Sequence, residues 1–190
     1  MRNLILIFGD QLDKNSSAFD DFDADQDAVW MAEAEEESRY APSHKHRIVL
    51  FLSAMRHFRQ ELEERGYSVH YQELDDRNAE AKLSGALRKS LDSLKPEKVI
   101  LTYPGEYRIL KGVEVVCGQA KIPLEVRNDR HFFSTPEDFA DWADGRKSLT
   151  MEFFYRDMRK QEGVLMQGKD PAGGEWNFDK ENRKTFGKEG

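Results

Sequence analysis

The residues best placed to do chemistry are the carboxylates that follow the first two apolar runs. Asp10 stands directly after Gly9 at the end of Leu4-Ile5-Leu6-Ile7-Phe8, and Glu33, Glu36, Glu37 and Tyr40 follow Ala28-Val29-Trp30-Met31. If the chain turns helical after Met31, Glu33, Glu36/Glu37 and Tyr40 fall at i, i+3/i+4 and i+7 on one face. Such a face sets ionised acceptors beside an aromatic plate. It suits a neutral, flat heterocycle with hydroxyls to donate, and it disfavours a phosphate. The same spacing also describes a solvated helix start whose acids complement the macrodipole. Spacing alone does not choose between the two.

Other motifs fail on inspection. Phe8-Gly9-Asp10-Gln11-Leu12 has one glycine where a dinucleotide fingerprint needs three, and Asp10 would repel a pyrophosphate. Gly163 to Asp170 comes within one residue of a P-loop. It lacks the Ser/Thr that holds magnesium and follows a helical pattern rather than a strand. His44-Lys45-His46-Arg47 holds the one close histidine pair, and a metal there would need carboxylates from elsewhere, so it reads as a solvated basic loop. Cys117, on a stripe with Val113 and Val116, reads as a small buried hydrophobe. No spacing suggests a nucleophile and its base, so neither a catalytic residue nor a metal ligand is assigned.

The elements that must position these groups alternate between two periods. Continuous apolar runs at 4–8, 28–31, Ile48–Leu52, Val99–Leu101 and Leu124–Val126 read as strands buried on both faces. Helical patterns lie between them: Ala54–Arg65 with Ser53 as N-cap and Gly66 as stop, about Ala79–Leu94 closed by Pro96, and Tyr107 to about Ala120. Strands alternating with helices of this length give a doubly wound α/β fold on a five-stranded parallel sheet. Its ligand crevice is expected outside the carboxyl ends of the strands. The six aspartates from Asp13 to Asp27 read as a solvated connection.

The remainder of the chain differs in character. Thr135-Pro136-Glu137-Asp138 is a helix start, Phe139 and Trp142 supply its apolar face, and Leu149–Gln161 carries Met151, Phe154, Tyr155 and Met158 on a second helix. Residues 167–190 hold five of the 13 glycines and ten charged residues, a composition that buries too little to offset its ordering entropy. The expected organisation is an α/β domain over 1–133, a helical extension over 134–166 and a polar connector over 167–190. A dimer through the apolar stripe, or a protease-sensitive tail after about Gly163, is the expected consequence.

Composition narrows the function classes. With 29 Lys+Arg against 36 Asp+Glu and a net charge of −7, direct nucleic-acid binding is not expected. One cysteine among 190 residues excludes an internal disulfide and a self-contained iron–sulfur cluster. The opening apolar run is too short for a secretory or membrane-spanning segment, so a soluble cytoplasmic protein without membrane contact is expected.

The strings LILIFGDQL, WMAEAEEESRY, IVLFLSAMRHF, TYPGEYR, MEFFYRDMRK and GGEWNFDKENRK resemble the N-terminal half of the deoxyribodipyrimidine photolyase-related proteins, which include iron–sulfur bacterial cryptochromes and (6-4) photolyases. The resemblance runs from Leu4 to about Lys184. It implies an α/β domain that holds an antenna chromophore, 6,7-dimethyl-8-ribityllumazine, within a family devoted to light-driven DNA repair or blue-light sensing. It places the antenna pocket on Phe8, Gly9, Asp10, Gln11 and Leu12, with Met31, Glu33, Glu37 and Tyr40, and with Lys45 and Ser53 to Met55 as neighbours. The family's FAD and its four-cysteine cluster belong to a helical half that this sequence lacks, so neither is expected to bind this chain, which reads as an isolated antenna domain without repair activity of its own. Two rivals stand beside this reading: a stand-alone nucleotide-binding α/β enzyme, and a partner-docking domain.

Overall fold

A computed structural model describes residues 1–40 and 43–179. The chain divides into two compact units, Met1–Arg130 and His131–Gly190. In the first unit, β1 (Asn3–Leu6), β2 (Ala28–Ala32), β3 (Val69–Gln72), β4 (Lys98–Thr102) and β5 (Leu124–Arg127) form one sheet in the order β3-β2-β1-β4-β5. Every pairing is parallel, with Leu4 opposite Ala28 on one side and Val99 on the other. The chain winds outward through β2 and β3, then returns to β4 beside β1. That reversal opens a crevice at the carboxyl ends of β1 and β4.

Alternation along the central strands divides the core in two. Leu4, Leu6, Trp30, Val99 and Leu101 face α3 (Leu83–Leu94) and α4 (Tyr107–Ala120), burying Leu87, Leu91, Val113, Val116 and Cys117. Ile5, Ile7, Val29 and Met31 face α2 (Lys45–Glu64) through Met55, Phe58 and Leu62. Cys117 is the small hydrophobe its stripe implies: burial pushes its thiol up to about 11.

One strand is elsewhere than expected. Ile48–Leu52 is not a strand; it lies inside α2, which starts at Lys45 and runs for 20 residues. His44 caps that helix by accepting from the His46 amide, so the 44–47 segment is a helix start rather than a loop, and Ser53 lies mid-helix rather than at a cap. A short aliphatic run fits either period. Here Ile48, Leu52 and Met55 make one helical face, while Val49 and Leu50 remain 64% and 66% exposed. The fifth strand is instead β3, at the sheet edge, half-buried and reading Val-His-Tyr-Gln. Its mixed composition gave no apolar run to read. Helix α3 begins at Leu83 rather than near Ala79 because Gln72 pins the preceding backbone, donating to the Glu80 carbonyl and accepting from its amide. The 13–27 segment is also less solvated than expected. Asp27 is buried against Arg2 and the Asn3 amide, and Ser16 and Ser17 hydrogen-bond the Thr102 hydroxyl.

In the second unit, α5 (Pro136–Ala143) opens on a Thr135–Asp138 capping box and α6 (Met151–Glu162) ends at Gly163 in the left-handed region. The expected stripe of α6 is split: Phe154 is buried against Phe139 and Trp142, whereas Met151 and Tyr155 are exposed. Within residues 166–179 the chain forms a short antiparallel pair, Met166–Gln167 with Asp170–Pro171, and Trp176 lies under Arg156, Arg159 and Lys160. Of the connector expected over 167–190, residues 180–190 lie outside the described residues.

Candidate functional site

A cavity of about 250 Å³ opens where the carboxyl ends of β1, β2 and β4 meet the start of α2. Its lining combines the apolar side chains of Phe8, Leu83, Ile109, Met55, Phe51 and Ile48 with the carboxylates of Asp10, Glu37 and Glu106. The turn after β1 can approach α2 closely because residue 9 is glycine. A Cβ there would stand 2.9 Å from the Met55 sulfur. Ile48, Phe51 and Leu52, helical in α2, supply a cavity wall along with Arg47, whose guanidinium lies 5.5 Å from the Phe51 ring centre.

Of the residues expected from sequence, Phe8, Gly9, Asp10, Glu33, Glu37 and Met55 line this cavity. The rest lie off its surface. Met31 is fully buried beneath α2, and Leu12 packs against the same core. Gln11 donates to the Tyr103 carbonyl at 2.9 Å, tying the β1 turn to the end of β4. Lys45 is exposed on the first turn of α2. Tyr40 is 65% exposed, with the Arg108 guanidinium 4.2 Å over its ring. Glu33, Glu37 and Tyr40 do not make the single acceptor face that helical spacing implied, because helix α1 (Glu35–Tyr40) begins only after Glu33.

The carboxylates differ sharply in their commitments. Glu33 accepts from Arg56 Nε and Nη2 at 2.7 and 2.8 Å, from the Tyr71 hydroxyl at 2.7 Å and from the Leu74 amide at 2.8 Å. Burial alone would push its carboxyl up; these hydrogen bonds outweigh burial and hold it below the usual range. The same pairing, after burial, pushes the Tyr71 phenol far above its ordinary value. Glu37 is bound at both oxygens by Arg108, at 2.9 and 2.7 Å, and Glu106 shares that guanidinium at 3.0 Å. Asp10 accepts from its own backbone amide. Burial, then the neighbouring charges of Glu106, Glu37 and Asp129, pushes its carboxyl above the ordinary value. Asp10 is thus the acceptor most ready for an incoming hydrogen-bond donor.

Arg108 and Ile109 are site-forming residues that sequence reasoning did not single out. The signal for Arg108 was present in TYPGEYR, where a cation follows two residues after Glu106 and can reach carboxylates from another strand end.

Among the described residues no helix is long and apolar enough to cross a membrane. A family model described as deoxyribodipyrimidine photo-lyase-related protein matches residues 5–190. A protein named (6-4) photolyase, from Agrobacterium fabrum, is 43% identical over 184 residues, covering 97% of this chain and 36% of that protein. An uncharacterized protein of Acanthamoeba polyphaga mimivirus is 23% identical over 196 residues, 98% of this chain and 96% of its own length. The chain therefore spans little more than a third of the photolyase it matches and nearly all of the viral relative.

Proposed function

We propose that this chain, which belongs to the deoxyribodipyrimidine photolyase-related family, binds a light-harvesting antenna chromophore, 6,7-dimethyl-8-ribityllumazine, in the cavity at the carboxyl edge of its sheet. The observation that carries the reading is the mixed lining of this one cavity: the apolar side chains of Phe8, Leu83, Ile109 and Met55 together with the carboxylates of Asp10, Glu37 and Glu106. A neutral heterocycle bearing a polyol can use both kinds of lining, whereas for a phosphate the lining carboxylates outnumber the one lining cation, Arg47. The residues present thus fit the group. The apolar walls would hold the ring system and exclude water from it. Asp10 would accept from a ribityl hydroxyl, and charge-assisted hydrogen bonds of this kind are the stronger ones. When bound, the chromophore supplies absorption of near-ultraviolet and violet light that can be passed to a flavin.

The wider role we propose is that of the family's photolyase-like members: light-driven repair of DNA photoproducts or blue-light sensing, with this chain as the light-collecting part. The flavin, the iron–sulfur cluster and the nucleic-acid contacts belong, on this reading, to parts other than this chain. The cytoplasm is the compartment we propose, and a homodimer through the exposed side chains of α6 is the self-association that fits them.

Titration of the protein with 6,7-dimethyl-8-ribityllumazine, followed by fluorescence anisotropy, tests the reading. Saturable one-to-one binding is expected. Asp10→Ala should weaken it by about tenfold, the loss of one hydrogen bond to a charged acceptor. An absence of saturable binding by the unaltered protein would sink the proposal.

A further inference from the structure

A separate cavity, of about 450 Å³, lies at the β3 edge of the sheet, lined by β3, the connection that follows it and α3. No residue lines both this cavity and the one that borders Asp10. Their chemistry is opposite. The first is rich in carboxylates, whereas here Arg77 and Lys89 stand against one carboxylate, Asp76, in a chain whose net charge is −7. Arg77 has no hydrogen bond or ion pair among the described residues. Lys89 donates to the Asn78 carbonyl at 2.9 Å, which leaves two of its three N–H groups to donate. Ser90 accepts from the Trp30 indole N–H at 2.9 Å, so its own hydroxyl proton remains available. Of the lining acceptors, Gln72 is taken up by the Glu80 amide and Asp76 holds the Glu73 amide. The cavity therefore offers donors and positive charge.

We propose that this cavity is an anion site for the phosphate group of a small molecule, with Arg77 and Lys89 as its charged donors and Ser90 as its neutral one. The site stands independently of chromophore binding. Three separate donor groups suit a phosphate's three terminal oxygens better than a carboxylate's two, and charge-assisted hydrogen bonds to phosphate are what Arg and Lys both supply. The volume falls within the range of small-molecule sites, roughly 300–1,000 Å³. His70 lines the same cavity, and burial holds its imidazole below its ordinary value, so near neutral pH the ring is uncharged and keeps one N–H to donate. Two cations do not make the extended basic stripe that a nucleic-acid strand requires. A compact phosphate matches them.

Titration with inorganic phosphate and with adenosine 5′-monophosphate, followed by calorimetry and by the ring-proton shifts of the histidines, tests the site. Saturable one-to-one binding is expected, with the His70 resonances moving and those of His57, on α2, staying still. Tighter binding of the monophosphate assigns the site to phosphate esters, and equal affinity assigns it to free phosphate. Adenosine, which lacks the phosphate, should leave His70 unmoved. Arg77 and Lys89 are both exposed, so their substitution should leave the fold intact. Arg77→Gln and Lys89→Gln should each weaken binding by at least about tenfold, the loss of a charged hydrogen-bond donor. Lys89→Gln keeps an N–H for the Asn78 carbonyl, so its effect reads the charge rather than the tether. Asp76→Asn keeps an acceptor for the Glu73 amide and should tighten binding by about threefold, a gain that damage to the fold would not produce. If neither probe saturates or moves His70, the site is overturned. Binding unchanged in both Gln variants, or weakened in Asp76→Asn, overturns it as well. Each of these results leaves lumazine binding at the other cavity to be read separately.

Discussion

Two carboxylates stand just past the ends of neighbouring parallel strands, Glu33 after β2 and Asp10 after β1, and both border the same cavity. Around Glu33 every acceptor position is taken: the side chain is fully buried, with Arg56, Tyr71 and the Leu74 amide converging on it. Around Asp10 the neighbours are other carboxylates, and its charge is disfavoured rather than supported. The contrast separates a group that builds the site from a group that can serve it. Glu33 locks the middle of α2 to the ends of β2 and β3, and through α2 it sets the position of Ile48, Phe51 and Met55 along the cavity wall. The Asp10 carboxyl accepts from its own backbone amide and is raised by burial and its acidic neighbours.

Substitutions should magnify or erase that contrast. Glu33→Gln should have the largest effect on stability, about 2 kcal/mol, because the fully buried side chain then turns an amide N–H₂ towards the donors of Arg56, Tyr71 and Leu74, while Arg56 itself stays partly exposed and keeps Glu73 and Asp75. Urea unfolding measures it, and a loss under about 1 kcal/mol would return Glu33 to the pool of ligand-binding candidates. Tyr71→Phe deletes one hydrogen bond to a charged acceptor and should cost about 1.5 kcal/mol in the same assay. Glu37→Gln weakens a partly exposed ion pair, so its thermal midpoint should fall by no more than about 1 kcal/mol would produce. A fall as large as that of Glu33→Gln would make Glu37 structural as well.

The pH dependence should run in opposite directions at the two carboxylates. The folded state holds Glu33 below its ordinary value of 4.5, so its stabilising contribution is present above that value and is lost as pH falls through the folded value. Asp10 is raised above 3.8 in the folded state, so folding is favoured below 3.8 and that advantage disappears as pH rises through the folded value. At neutral pH, Asp10→Asn should therefore be neutral or stabilising by up to about 0.5 kcal/mol, with the difference vanishing in acid. Unfolding curves of this variant at pH 7 and pH 3.5 check the sign. A destabilised Asp10→Asn protein at pH 7 would place Asp10 among the groups that hold the fold.

Much of the architecture was legible because it rests on local chemistry. The β1 run, the Tyr107–Ala120 helix and the Thr135 cap each carry their signal in a handful of adjacent residues. The doubly wound class followed from their alternation, and the crevice at the strand ends followed from the class. Ile48–Leu52 and Val69–Gln72 were exchanged as strand and non-strand because what decides them is not local. An aliphatic run becomes helix or strand according to which surface receives it, and here the receiving surface is the Ile5, Ile7, Val29 and Met31 face of the sheet.

The amino-acid sequence by itself determined the fold class, the acidic balance and the carboxylate-rich turns at one end of the sheet. Only the tertiary structure decided what each carboxylate does. Glu33, Glu37 and Asp10 are chemically near-equivalent along the chain. Arg56, Tyr71 and Arg108, distant from them in sequence, engage two of the three and leave the third to its own backbone amide. A side chain's role follows from its partners, and partners 23 to 71 residues away are brought close only by the winding of the sheet.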